Sequence, residues 1–175
     1  MDLQTQVPEP QKEPRKVPLP ELPPPNKISV ANQVCWYMGG LLLAAGLIGF
    51  VTPGLFAAHL NPVHNLIFLV SGVISLWFGL TSPDYTAKRF SKWFGGIYML
   101  FGLAGFAFGQ RGLSLTRPTT TGLPEESFFL WKLVPGHFEL GTTDHVFHIL
   151  VGAVFLAGSY FTLRKYKPAH KIIWH

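Results

Sequence analysis

Histidines are the residues of this 175-residue chain best suited to chemistry, and five of its seven cluster near helix starts or in loops: His59, His64, His137, His145 and His148. Asp144 and His148 stand four apart and His145 and His148 three apart, so one helix would turn them into one sector. Two or three imidazoles with a carboxylate suit zinc or copper, and an imidazole is also an axial ligand for haem or chlorophyll. His64, Asp144 and His148 are therefore candidate metal ligands, and His64, His145 and His148 candidate cofactor ligands. The same residue types have a plainer use. Polar groups in a first helical turn cap free N–H groups, and a neutral His64 can hydrogen-bond Asp144 across a helix pair.

Other catalytic patterns are missing: there is no Gly-x-Ser-x-Gly, no phosphate loop, no His-Glu-x-x-His, and the one pair of adjacent carboxylates is Glu125-Glu126. The single Cys35 excludes a disulfide scaffold and reads as a small buried side chain rather than a nucleophile. The expectation is a protein that is not an enzyme.

The elements that must position these histidines follow from composition. Hydrophobic residues make up 48% of the chain and charged residues 13%, against about 25% charged in a soluble domain. A spanning helix needs about 20 apolar residues. Four stretches qualify, at about residues 30–51, 61–81, 90–109 and 144–163, with an outer loop at 110–141. Asn61-Pro62 and Thr142-Thr143-Asp144 read as caps, and Pro53-Gly54 and Ser82-Pro83 as stops. The first stretch lies behind a polar segment without a small-residue cleavage pattern, so it reads as a retained helix and not a signal peptide.

Of the 14 basic residues, eleven fall on one side of these spans: Lys12, Arg15, Lys16, Lys27, Lys88, Arg89, Lys92, Arg164, Lys165, Lys167 and Lys171. The positive-inside rule then places both termini in the cytoplasm of a multi-pass protein, in a bacterial inner membrane or a thylakoid. The net charge of +5 is accounted for by topology and anionic lipid, and no nucleic-acid partner is expected.

The third stretch copies the first. Met38–Phe50 aligns without gaps to Phe94–Phe106 with six identities, four of them glycines. His64–Gly72 aligns more loosely with Asp144–Gly152. The fold class expected is all-α, a four-transmembrane-helix bundle from two parallel hairpin repeats. Gly39, Gly46 and Gly49, like Gly95, Gly102 and Gly105, share a helical face, because seven residues make almost two turns. Small residues let helices approach closely in lipid, so helices one and three are expected to cross at these stripes, with Gly105 and Gly109 as a further small pair.

Gly-Gly helices followed by helices that open on His64-Asn65 or Asp144 and His148, with Gly72 and Gly152 further on, resemble a bacterial family of small four-helix integral membrane proteins of uncharacterised function. The resemblance covers about residues 32–163 and implies the fold without an activity. Phe68 stands where the pattern leads one to expect a second histidine, and the outer loop is longer than expected.

The remaining segments point to partners. Residues 7–25 hold eight prolines, the composition of an extended Pro-rich cytoplasmic arm over residues 1–29. The aromatic stretch Phe128–Phe138 reads as a piece lying at the membrane interface or on another protein, and Lys171–Trp174, in the tail 166–175, as an interfacial anchor. The functional expectation is an accessory subunit of a larger membrane complex, respiratory or photosynthetic, bound to lipid and to other membrane subunits through the arm and the outer loop. The alternative is a protein that holds a divalent metal, haem or chlorophyll through its outer histidines.

Overall fold

A computed structural model describes residues 29–52, 58–116 and 125–162. The Pro-rich arm, the C-terminal anchor, His170 and His175 lie outside the described residues. The elements are, in chain order, α1 (Val30–Val51), α2 (Pro62–Thr81), α3 (Asp84–Phe108), β1 (Gln110–Ser114), β2 (Glu125–Val134), β3 (Phe138–Leu140) and α4 (Thr142–Phe161).

Local chemistry sets the helix starts. Ser29 Oγ accepts the Asn32 N–H at 3.2 Å, and Asn61 Oδ1 accepts the His64 N–H at 2.9 Å with Pro62 just inside the helix. α3 begins at Asp84 rather than Phe90, because the Pro83 carbonyl accepts from Thr86 and Ala87 and Asp84 faces the positive helix end. α4 begins at Thr142, so Thr142 and Thr143 belong to its first turn. Asp144 acts as a cap from inside, its Oδ2 accepting the Gly141 N–H at 2.8 Å.

The expected outer loop is instead a three-stranded antiparallel sheet in the order β1-β2-β3, so the fold is mostly helical and not all-α. One half of β2 pairs with β1 (Gln110 opposite Leu130, Ser114 opposite Glu125) and the other with β3 (Trp131 opposite Leu140, Val134 opposite Phe138). Both ladders shift register, and Phe129 sits at φ 50°. Such irregularity breaks the strict alternation by which a strand is recognised in sequence.

The glycine stripes do seat helices, but not the pair expected. A Cβ on Gly39 would lie 2.7 Å from Leu76 N and 3.0 Å from Gly72 O, and one on Gly46 would lie 2.9 Å from Asn65 O, all on α2. In the same way Gly95 faces Gly152 O at 2.8 Å and Gly102 faces His145 O at 2.6 Å, both on α4. The stripes therefore close α1 on α2 and α3 on α4, not α1 on α3. Antiparallel neighbours in one hairpin run side by side over their whole length, which makes full use of a long small-residue stripe. Gly109 lies beyond α3 and faces the carbonyl of Phe129 in the sheet.

The two hairpins meet around Cys35, Leu42, Leu60, Phe68, Tyr98, Val151 and Phe155. At one end, called here the tail end, the Ala31 N–H donates to Thr162 Oγ1 at 2.8 Å, Asn32 Nδ2 to Ser82 O at 2.9 Å, and Lys88 Nζ to Thr162 O. The sheet and the starts of α2 and α4 occupy the other end. α1, α2 and α4 are long and apolar enough to cross a membrane. Their outward faces, with Leu47, Leu66, Val73, Trp77 and Leu150 exposed, are apolar as lipid-facing surface is.

Candidate functional site

The start of α2, the start of α4 and the segment before α2 converge beneath the sheet, and they bring four imidazoles and one carboxylate together. Asp144 is its centre. Its carboxylate accepts the His59 N–H at 3.1 and 3.2 Å, His59 Nδ1–H at 2.9 Å and the Gly141 N–H. His64 Nδ1 lies 3.8 Å from the other carboxylate oxygen, yet its nearer partner is the carbonyl of His59 at 3.0 Å. His59, His64, Asp144 and His145 are all buried to within 1%.

The partners fix the tautomers. A carbonyl only accepts, so each ring nitrogen facing one must carry the hydrogen. His64 donates from Nδ1 to His59 O, His145 from Nε2 to Phe129 O at 2.7 Å, and His148 from Nδ1 to Asp144 O at 2.5 Å. In a neutral ring the other nitrogen is then a lone pair. His59 Nε2, His64 Nε2 and His145 Nδ1 are buried and have no hydrogen-bond partner among the described residues. Leaving a buried polar atom unpaired costs about 1–3 kcal/mol.

These lone pairs do not share one point. His145 Nδ1 is closed off by the main chain of Gly105, where a Cβ would come within 2.0 Å of it. His145 thus packs against α3 through Nδ1 and holds the sheet through Nε2. His64 and His148 lie together with rings nearly parallel, centroids 5.6 Å apart, among Phe68, Phe138 and Tyr98. Asp144, the expected third ligand, spends its oxygens on His59 and Gly141. Among the described residues no three His, Cys, Asp or Glu side chains are arranged to hold a metal ion. His137 is exposed in the β2–β3 turn, apart from the cluster.

Two roles were not visible in the sequence, the pairing of His59 and the burial of Glu139. His59 stands outside any helix, and its role depends on Asp144, 85 positions away. Glu139, fully buried, ties the sheet: it accepts from Ser114 Oγ and the Leu115 N–H, each at 2.9 Å, and from the Gly136 N–H at 3.0 Å. Burial alone would raise its pKa. The three hydrogen bonds and the Lys132 charge outweigh burial and hold it below the usual carboxylate range. No signal in Phe138-Glu139-Leu140 marks the glutamate as inward. The strained φ of Phe129 aims its carbonyl at His145 Nε2, and Gly109 makes room, since a Cβ there would lie 2.4 Å from that oxygen.

Comparison with protein families, with curated proteins and with solved structures finds no match. What the arrangement can do chemically is hold a carboxylate, lock four imidazole orientations and keep unpartnered ring nitrogens away from water.

Proposed function

We propose that the chain is a four-span membrane protein, one hairpin used twice, that serves as a non-catalytic subunit of a larger membrane assembly of the respiratory or photosynthetic kind. The repeat reading is supported by contacts that correspond position for position. Gly39 meets Gly72 as Gly95 meets Gly152, Gly46 meets Asn65 and Leu69 as Gly102 meets His145 and Ile149, and Gly49 abuts the Asn65 side chain as Gly105 abuts His145. α3 serves as the fourth span: its 25 residues extend about 37 Å at about 1.5 Å each, with Asp84, Lys88, Arg89 and Lys92 at the headgroup level. That basic end, which also gathers the start of α1 and the end of α4, faces the cytoplasm.

The observation that carries the subunit reading is the sheet. Leu113, Leu115, Phe128 and Val134 are each more than half exposed on a platform that Glu139 ties together and that His145 and Thr142 join to α4. A preformed apolar surface beyond the helix ends suits a partner subunit. Purification in mild detergent tests this. The chain should run in a large particle, and pairing Phe128→Ser with Leu115→Ser should release it as a folded single chain. A wild-type chain that runs alone refutes the reading.

A second reading, ligation of a metal ion or of the metal in haem or chlorophyll by His64 and His148, is favoured by the unpartnered His64 Nε2. Each ring already donates its other nitrogen to a carbonyl, the usual outer-shell arrangement of a ligating histidine. Absorbance in the visible or a stoichiometric metal in the purified protein, lost in both His64→Ala and His148→Ala, would support it. Colourless, metal-free protein would remove it.

A further inference from the structure

The tail end carries a second feature, unrelated to the histidines. A groove of about 330 Å³ between α2 and α3 is lined by Phe78, Tyr85, Thr86, Arg89, Phe90 and Trp93. Its floor is a stack: Phe78 and Phe90 lie 4.2 Å apart at 8°, and Phe94 continues it 4.8 Å beyond Phe90. Its rim is amphipathic, with Tyr85 and Trp93 each 69% exposed. Tyr85, Arg89 and Trp93 recur every fourth residue, so they form one ridge along the first turns of α3. Neither Arg89 nor Lys92 has an ion-pair or hydrogen-bond partner among the described residues, and Asp84 pairs with neither. Arg111 at the sheet end differs: Glu126 holds it in two bonds at 2.6 and 2.9 Å.

We propose that this groove binds an anionic glycerophospholipid. The Arg89 guanidinium takes the phosphate in its fork, with the Thr86 hydroxyl as a further donor, and a headgroup without its own cation leaves that charge pairing uncontested. The acyl chain leaves along Phe78, Phe90 and Trp93, and Tyr85 and Trp93 sit at the headgroup boundary where such rings are favoured. Charge complementarity selects this occupant. The groove joins an unpaired guanidinium to an apolar floor, and a phospholipid joins a phosphate to an apolar chain in the same order. The site rests on the membrane-spanning reading.

The test uses the full chain, extracted in mild detergent from vesicles that hold phosphatidylcholine and phosphatidylglycerol in equal amounts, with retained lipid identified by native mass spectrometry. Wild type should keep phosphatidylglycerol in preference to phosphatidylcholine. Arg89→Gln should lower that preference about tenfold, and Arg111→Gln should leave it unchanged. A photoreactive benzophenone side chain at position 93 should capture lipid. Equal retention of both lipids, an Arg89→Gln variant that matches wild type, or capture of residues 1–28 or of another protein at position 93 overturns the site. Protein that stays soluble without detergent and carries no lipid overturns the spanning reading as well, which separates the two failures.

Discussion

Adding one methyl group at Gly39 and, separately, at its neighbour Gly40 isolates the close approach of α1 to α2 from every other property of the helix. At Gly39 the new Cβ meets Leu76 N at 2.7 Å and Gly72 O at 3.0 Å, main-chain atoms that cannot rotate away. The helices must separate by several tenths of an ångström along a densely packed seam, and overpacking of that kind costs about 1–3 kcal/mol. At Gly40 nothing lies within 4 Å, and alanine gains up to about 1 kcal/mol through its better helix propensity. That propensity gain is common to both positions and cancels in the comparison, so the two substitutions should differ by the overpacking cost, about 1–3 kcal/mol. The second hairpin supplies the same comparison in Gly95→Ala, blocked by Gly152 O at 2.8 Å, and Gly96→Ala, which is open. Reversible unfolding in detergent, followed by circular dichroism, reads the difference. A double-mutant cycle then identifies the partner. Gly39→Ala and Gly72→Ala wedge the same crossing, so their costs should be non-additive by about 0.5–3 kcal/mol, whereas Gly39→Ala and Gly95→Ala, in separate seams, should add to within about 0.5 kcal/mol. Equal costs at Gly39 and Gly40, or coupling of Gly39 to Gly95 in place of Gly72, would refute the hairpin packing.

Asp144→Ala leaves the buried His59 and Gly141 N–H groups without an acceptor and should cost about 3 kcal/mol or more, while His137→Ala, at an exposed turn, should stay within about 0.5 kcal/mol of wild type in the same unfolding assay. Glu139 has a folded-state pKa below its unfolded one, so its contribution is complete above the ordinary carboxylate range and is lost as the pH falls through the folded value. The protection factors of the sheet amides, taken relative to unstructured exchange at each pH, should therefore fall in acid, and Glu139→Gln should flatten that dependence; unchanged protection in acid would contradict the role given to Glu139. Gly136 has φ 75° with open space around it, so Gly136→Ala should lower stability by about 1 kcal/mol through backbone strain alone. A neutral result in thermal unfolding would show that the β2–β3 turn relaxes.

The helices were legible in the residues because burial in lipid imposes a local rule. About twenty apolar residues and a capping group are visible in any window of the chain, so α1 and α2 fall where Val30–Val51 and Asn61-Pro62 place them. The glycine register and the meeting of His64 with His148 were equally open to reading, since helical periodicity and a repeat offset are properties of one dimension. Which helix each glycine stripe faces was not, because a stripe records that something comes close without recording what. Only the folded hairpins decide that Gly39 meets Gly72. The sheet stayed hidden for a related reason: a bulged strand that carries Phe128 and Phe129 side by side and a φ of 50° does not alternate. The commitment of Asp144 to His59, and of His145 to the Phe129 carbonyl, joins groups distant in the chain through a few hydrogen bonds. Such bonds leave no periodic trace in the sequence, and they determine which histidines keep a free nitrogen.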